Sequence, residues 1–265
     1  MTSMTSAKQR PVGELLRQWR EQRRLSQLDL SIQADISTRH LSFVETGRSA
    51  PSREMVLHLA EELEVPLRER NRLLLAAGFA PVYGETSMDA PEMTAVRTAV
   101  RQILAGHEPY PAAVVDRRWN MVDSNASIAL FTAGIPPELL TPPVNVLRLS
   151  LHPDGLAPRI VNLGEWRAHL LGRLRREIAV TADQGLRDLY EELVAYPCSD
   201  PEPHLENEVV VPLRIMHNGT ELKFLSMVAT FGTPADITVA ELSIESFFPA
   251  DAVTADFLRG IGLDR

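Results

Sequence analysis

Thr38, Arg39, Ser42 and Phe43 fall at the spacing of one helical face within STRHLSFVETGRS, Ser37 to Ser49. Two hydroxyls, a guanidinium and an aromatic ring can hydrogen-bond and stack. Such a face, on a helix short enough to enter a groove, suits the edges of base pairs in duplex DNA. Leu41 and Val44 lie on the other side and predict a buried stripe. Ser37 predicts an N-cap, and Gly47 a stop.

Four more short helices are predicted around it. The first covers about 11–24, with Leu15, Leu16 and Trp19 at core spacing and Arg17, Arg20, Arg23 and Arg24 outside. Ser26 caps a second helix through about Ala34, with Leu28, Leu30 and Ile32 apolar. Ser52 caps a fourth, which buries Met55, Val56, Leu59, Ala60 and Leu63, and Pro66 starts a fifth that runs to Gly78. Only Asp35 and Ile36 separate the second helix from the cap of the third, a connection short enough to force a steep angle.

The segment LSQLDLSIQADISTRHLSFVETGRSAPSREMVLHLAEEL resembles the DNA-binding domain of the XRE (lambda-repressor and Cro-like) family. The marks are Leu25-Ser26-Gln27, Ile36-Ser37, Leu41-Ser42, Glu45-x-Gly47 and Pro51-Ser52. Asp35 stands where many relatives have Gly in the turn; Asp tolerates left-handed dihedrals, so the turn is expected to form. The resemblance implies that Gln27 touches a phosphate, that Thr38, Arg39, Ser42 and Phe43 face bases, and that Arg48 meets the backbone. Arg39 matches the O6/N7 pair of guanine, and Phe43 can cover a thymine methyl. Glu45 is expected to brace the motif, since a carboxylate facing DNA would be repelled.

The chain of 265 residues carries a net charge of −8. Residues 1–80 hold 12 basic and 10 acidic side chains; the remainder hold 15 and 25. The acidic body would be repelled by a phosphate backbone, so DNA contact belongs to the head. The body changes texture. After a linker-like stretch, FAPVYGETSMDAPE, a helix is predicted over about 91–105. Strands follow at 112–115 and 119–122 around a turn at 116–118, with Asn125 ending the second and capping a helix. Helices are predicted over 163–180 and 183–195, and strands at 209–216, 222–231 and 237–247. Asn218-Gly219 is a hairpin signal, and this reading is preferred to a glycosylation site at Asn218.

The stretches YPAAVVDRRWNMVDSNAS, PPVNVLRLSLHPDGLAP, EWRAHLLGRLRRE and ATFGTPADITVAELSIESFFPAD resemble the ligand-binding domain of MmyB-like transcription regulators. The fold expected is an α-helical lambda-repressor-like helix-turn-helix domain followed by an α+β PAS-like domain, a five-stranded antiparallel sheet with covering helices. Residues 1–80 would form the DNA-binding domain, 81–106 a linker and connecting helix, and 107–265 the ligand-binding domain. The resemblance implies a small-molecule sensor, with fatty-acid-like ligands as precedent. The implied pocket draws Leu130, Phe131, Trp166 and Leu170 from helices and Val114, Leu213, Phe224 and Met227 from strands. Arg173, Arg175 or Arg176 would stand at its mouth.

The remaining residues predict no enzyme, cofactor or metal. His107, His152, His169, His204 and His217 form no metal-ligand pair by spacing, and Cys198 has no activating neighbour. Gly232-Thr233-Pro234 lacks a P-loop's lysine. Glu241 and Glu245 read as a solvated strand face. One cysteine, no apolar run near the roughly 20 residues of a membrane helix and no export signal point to the cytoplasm. The expected partners are a double-stranded operator with an inverted repeat, bound by a homodimer, and a small apolar ligand such as a fatty acid. In the alternative reading, the body serves only dimerisation or a protein partner.

Overall fold

The computed structural model describes residues 10–181, 183–198 and 210–263. The expected start of the third strand at 209, and His204, lie outside them. The chain forms two compact units, the first running to Glu85 and the second taking nearly all of the rest.

The first unit is helical: α1 Val12–Gln22, α2 Gln27–Gln33, α3 Thr38–Glu45, α4 Arg53–Glu62 and α5 Leu67–Ala76. Ser26, Ser37 and Ser52 each accept a backbone N–H three residues on, and Asp29 closes a capping box with Ser26. Asp35 adopts the left-handed conformation the turn requires, at φ 49°. The core gathers Leu16, Trp19, Leu30, Leu41, Val44, Leu59, Leu63 and Leu73. Of the apolar residues of α2 only Leu30 is inside; Leu28 and Ile32 are exposed. The expected linker begins later than 81. Asn71 binds Val82 and Tyr83 N–H through Oδ1 and the Tyr83 carbonyl through Nδ2, which fastens that stretch to α5.

The second unit opens with α6 Thr94–Gly106, then β1 Ala112–Val115, β2 Met121–Ser124, α7 Ala129–Thr132, α8 Val146–Leu151, α9 Leu163–Thr181, α10 Gln184–Ala195, β3 Leu213–His217, β4 Thr220–Thr230, α11 Ile237–Ala240, β5 Ser243–Pro249 and α12 Ala252–Leu263. The five strands form one antiparallel sheet in the order β2-β1-β5-β4-β3, the PAS-like arrangement. Asn218 and Gly219, at φ 48° and 81°, make the β3–β4 turn.

Three local expectations are corrected. Trp119 does not open β2; it sits in the turn at φ 66°, and the strand begins at Met121. Asn125 stands at the N-cap position of a 3-10 turn over Ala126–Ile128, but its side chain makes no capping hydrogen bond there. Its Oδ1 accepts from Ala112 N–H at 3.0 Å and its Nδ2 donates to the Tyr110 carbonyl at 2.7 Å, which clamps the start of β1. Residues 237–240 coil into a helical turn, and the last strand is confined to Ser243–Pro249.

One face of the sheet is covered by helices, and the other is covered over β1 and β5 but open at Met227 of β4. Val100 and Leu104 of α6 pack on Ala112, Val114, Leu242 and Ile244. The opposite face, with Val115, Leu213, Ile215, Leu222 and Phe224, packs against Phe131, Leu149, Trp166, Leu170 and Leu174 from the helical middle.

Candidate nucleic-acid interface and ligand cavity

The outward face of α3 is held from behind by one buried carboxylate. Arg20 on α1 donates to Glu45 at the end of α3 through Nε at 2.6 Å and Nη2 at 2.9 Å. Gln27 at the start of α2 donates to the same carboxylate at 2.7 Å. Three helices are thus tied at one point. Gly13 lets α1 come this close: a Cβ there would lie 2.3 Å from the Val44 carbonyl oxygen. The side chain of Gln27 is therefore turned inward to Glu45. Thr38 is also partly engaged, its hydroxyl 2.8 Å from that of Ser31.

Arg39 and Arg48 are exposed, with Phe43 half-buried between them. Their guanidinium carbons lie 5.3 and 5.8 Å from the Phe43 ring centre, within cation–π range. The Phe43 carbonyl accepts the N–H groups of Arg48 and Ser49, which fixes the chain beyond Gly47. Ser42 is half-buried, on the same face. Arg39 on α3 and Arg48 just beyond its end thus offer two cations beside one ring, with a small hydroxyl on the same face.

In the second unit a cavity of about 80 Å³, measured as the space open to the centres of water molecules, lies between the inner sheet face and the helices. At roughly 10–15 Å³ per water this holds several waters. Its walls are mostly apolar: Val115, Phe131, Leu147, Trp166, Leu170, Leu213 and Phe247 line it, with Ser150, His169, Arg173, Ser226 and Glu245 as polar members. Of the residues expected to line it, Phe131, Trp166, Leu170 and Leu213 do so. The other four are placed elsewhere. Val114 faces α6, because alternation along β1 gives the cavity Ala113 and Val115. Leu130 and Phe224 are core behind the wall. Met227 is 61% exposed, since the inward residue of that part of β4 is Ser226.

Glu245 was expected on a solvated face, and this is corrected: its side chain is only 9% exposed and lines the cavity, with Oε1 2.8 Å from Arg173 Nη2. Arg173 also stacks over Trp119 at 4.2 Å, and the Trp119 indole donates to Glu177 at 2.8 Å. Burial pushes the carboxyls of Glu245 and Glu177 up, against the pull of Arg173 on both. Burial, reinforced by Arg173 and Arg176, pushes the His169 imidazole down. Arg175 instead bonds the Tyr190 hydroxyl. The signal for this cluster was present in the sequence: His169, Arg173 and Glu177 follow one another at i+4 beside the apolar stripe of Trp166, Leu170 and Leu174.

Among the described residues no group of three His, Cys, Asp or Glu side chains is placed to hold a metal, and no helix is long and apolar enough to cross a membrane. A helix-turn-helix unit followed by a cavity-bearing α+β unit defines a DNA-binding transcription regulator with a ligand-binding domain. Family comparison gives the same division: residues 11–73 match a helix-turn-helix domain, and residues 96–260 match the MmyB-like transcription regulator ligand binding domain. The chain belongs to this MmyB-like family. No curated protein matches it.

Proposed function

We propose that the protein is a cytoplasmic regulator that binds a double-stranded operator as a homodimer and whose operator affinity is set by a small apolar ligand, fatty-acid-like in its chain. The observation that carries the reading is the cavity itself: an apolar chamber between sheet and helices, in a chain whose other unit presents Arg39 on a groove-sized helix and Arg48 just beyond its end. One recognition helix reads too few bases for specificity. Two copies on an inverted repeat, with half-sites about 10–10.5 base pairs apart, double the contact. Gln27, Thr38, Ser42 and Phe43 complete the proposed DNA surface; Gln27 and Thr38 would act there while holding, or after exchanging, their partners Glu45 and Ser31.

Coupling is reciprocal, so ligand and operator should change each other's affinity by the same factor, typically about 1–3 kcal/mol. The lever proposed is α6, which follows the division between the units and packs on the sheet through Val100 and Leu104. Measuring operator affinity with and without a saturating C12 acyl compound tests this. Equal values would leave the second unit to dimerisation or a protein partner.

The arginines should separate in their effects. Arg39→Ala is expected to cost about 1–3 kcal/mol on the cognate operator and to relax preference at one base position. Arg48→Ala should weaken all sequences alike and flatten the salt dependence. Equal losses on cognate and scrambled DNA for Arg39→Ala would remove its base-reading role.

A further inference from the structure

β4 outruns the strand beside it. Thr220–Phe224 pair with the whole of β3, and among the described residues nothing pairs with residues 225–230 on that side. The chain before β3 is drawn away from β4: the Pro212 carbonyl accepts from Asn162 Nδ2, and Ile160 bridges Ile215 on the far side of β3. Which backbone groups face the open edge follows from the turn. His217 and Thr220 close it, so Thr220 directs its N–H and C=O to β3, and every second residue along β4 does the same. Lys223 has the opposite parity; it accepts from Ala250 N–H and donates to Thr254 Oγ1 on the β5 side. The N–H and C=O of Ser226, Val228 and Thr230 therefore point out of the sheet. Leu225, Met227, Val228, Ala229 and Thr230 are exposed, and residues 225–230 include no Pro, Gly or charge. An apolar edge without those devices recruits another strand.

We infer that this edge is the dimer interface of the second unit, with β4 paired antiparallel to β4 of a second copy about a twofold axis at Val228. The inference rests on the homodimer reading and names the surface it uses. Three outward residues at a spacing of two are symmetric about the middle one. With Val228 opposite its own copy, Ser226 meets Thr230 of the partner subunit, and every outward donor faces an acceptor. On the outer face Met227 stands beside Ala229 of the partner subunit, a large residue next to a small one, both still open to solvent. Charge selects a second copy as the occupant. The body is acidic and repels itself over most of its surface, whereas residues 224–235 carry no charge and let two copies approach without opposing carboxylates. Ser226 also lines the cavity, so the pairing and the cavity share one strand.

Sedimentation velocity and cysteine cross-linking of the full chain test the edge. The wild type should sediment as a dimer. Val228→Pro should weaken dimerisation roughly tenfold or more, because it removes the central donor from each copy. That N–H faces the open edge, where proline is tolerated within a chain. In a Cys198→Ser background, Val228→Cys should cross-link to itself on mild oxidation, since opposed residues lie about 5.5 Å apart at Cα, within disulfide reach. Leu225→Cys should not, because the two copies of that position would lie roughly 20 Å apart along the strands. A dimer that Val228→Pro leaves intact, or equal cross-linking at the two positions, would overturn the edge assignment while the homodimer reading stands. A wild type that stays monomeric, both free and on operator DNA, would overturn both. If Val228→Pro fails to fold by circular dichroism, Val228→Lys takes its place, setting two cations against each other at the axis.

Discussion

Replacing Glu45 by Ala should destabilise the helix-turn-helix unit by about 3–5 kcal/mol, as expected when one partner of a buried ion pair is removed. The side chain of Glu45 is 1% exposed and that of Arg20 is 9% exposed, so neither group can turn to water without moving its helix. The truncation would strand the Arg20 guanidinium and also leave the Gln27 amide without its acceptor. A domain's whole stability is about 5–15 kcal/mol, so the loss would consume a large share of it. Hydrogen exchange at the amides of α1 and α3 reads the effect in this unit alone. A paired replacement, Arg20→Met with Glu45→Leu, should recover much of the loss, because the cost lies in the unpaired charge more than in the pair. The functional consequence is geometric. Glu45 ends the helix that carries Arg39 and Phe43, so operator binding should fall with stability in Glu45→Ala and return in the double variant. A Glu45→Ala loss below about 1 kcal/mol would show that the contact contributes no more than an exposed pair.

The helix-turn-helix unit was legible because its signals are local. Ser26, Ser37 and Ser52 mark three helix starts, and the apolar spacing of Leu41 and Val44 sets the outward face of α3 without reference to anything distant. The bracing role of Glu45 followed from charge alone. Its partners did not: Arg20 is 25 residues away and has the same sequence texture as the exposed Arg17. Nor does periodicity reveal that Gln27 points inward, since a residue at the first position of a helix can serve either side of it.

In the second unit, alternation identified which strand residues share a face but not which face is inside. A strand with apolar and polar residues in turn reads as half-wet when one side meets solvent. Here α6 covers the outer side, so Val114 and Ile244 are buried beneath it, while the polar partner Glu245 is buried on the cavity side. The helix that reverses the assignment was itself legible, but its docking onto the sheet was not. The same cause misplaced Met227. Its neighbour Ser226 faces the cavity, and a serine between Leu225 and Met227 gives a sequence reader no reason to turn it inward.

Phe224→Ala and Met227→Ala should therefore differ sharply, although the two residues are three apart on one strand. Phe224 is fully buried and meets Phe131 edge to face at 5.3 Å; Phe131 in turn meets Phe247 at 4.9 Å. Phe131 and Phe247 line the cavity, and Phe224 stands behind them. Truncating it removes a full aromatic side chain from a closed site, which should cost about 3–5 kcal/mol. The aromatic contact with Phe131 should account for roughly 0.5–1.5 kcal/mol of that loss beyond the area it buries. Removing this backing also frees the Phe131 ring to tilt into the space left behind, so the cavity should change shape as the unit weakens. Met227 touches neither ring and is mostly in solvent, so its truncation should stay within about 0.5 kcal/mol. Denaturant unfolding of the two variants, with hydrogen exchange at β4 and β5 to confirm which unit has weakened, makes the comparison. A loss at Met227 as large as that at Phe224 would mean that the outer face of β4 is covered in the working protein.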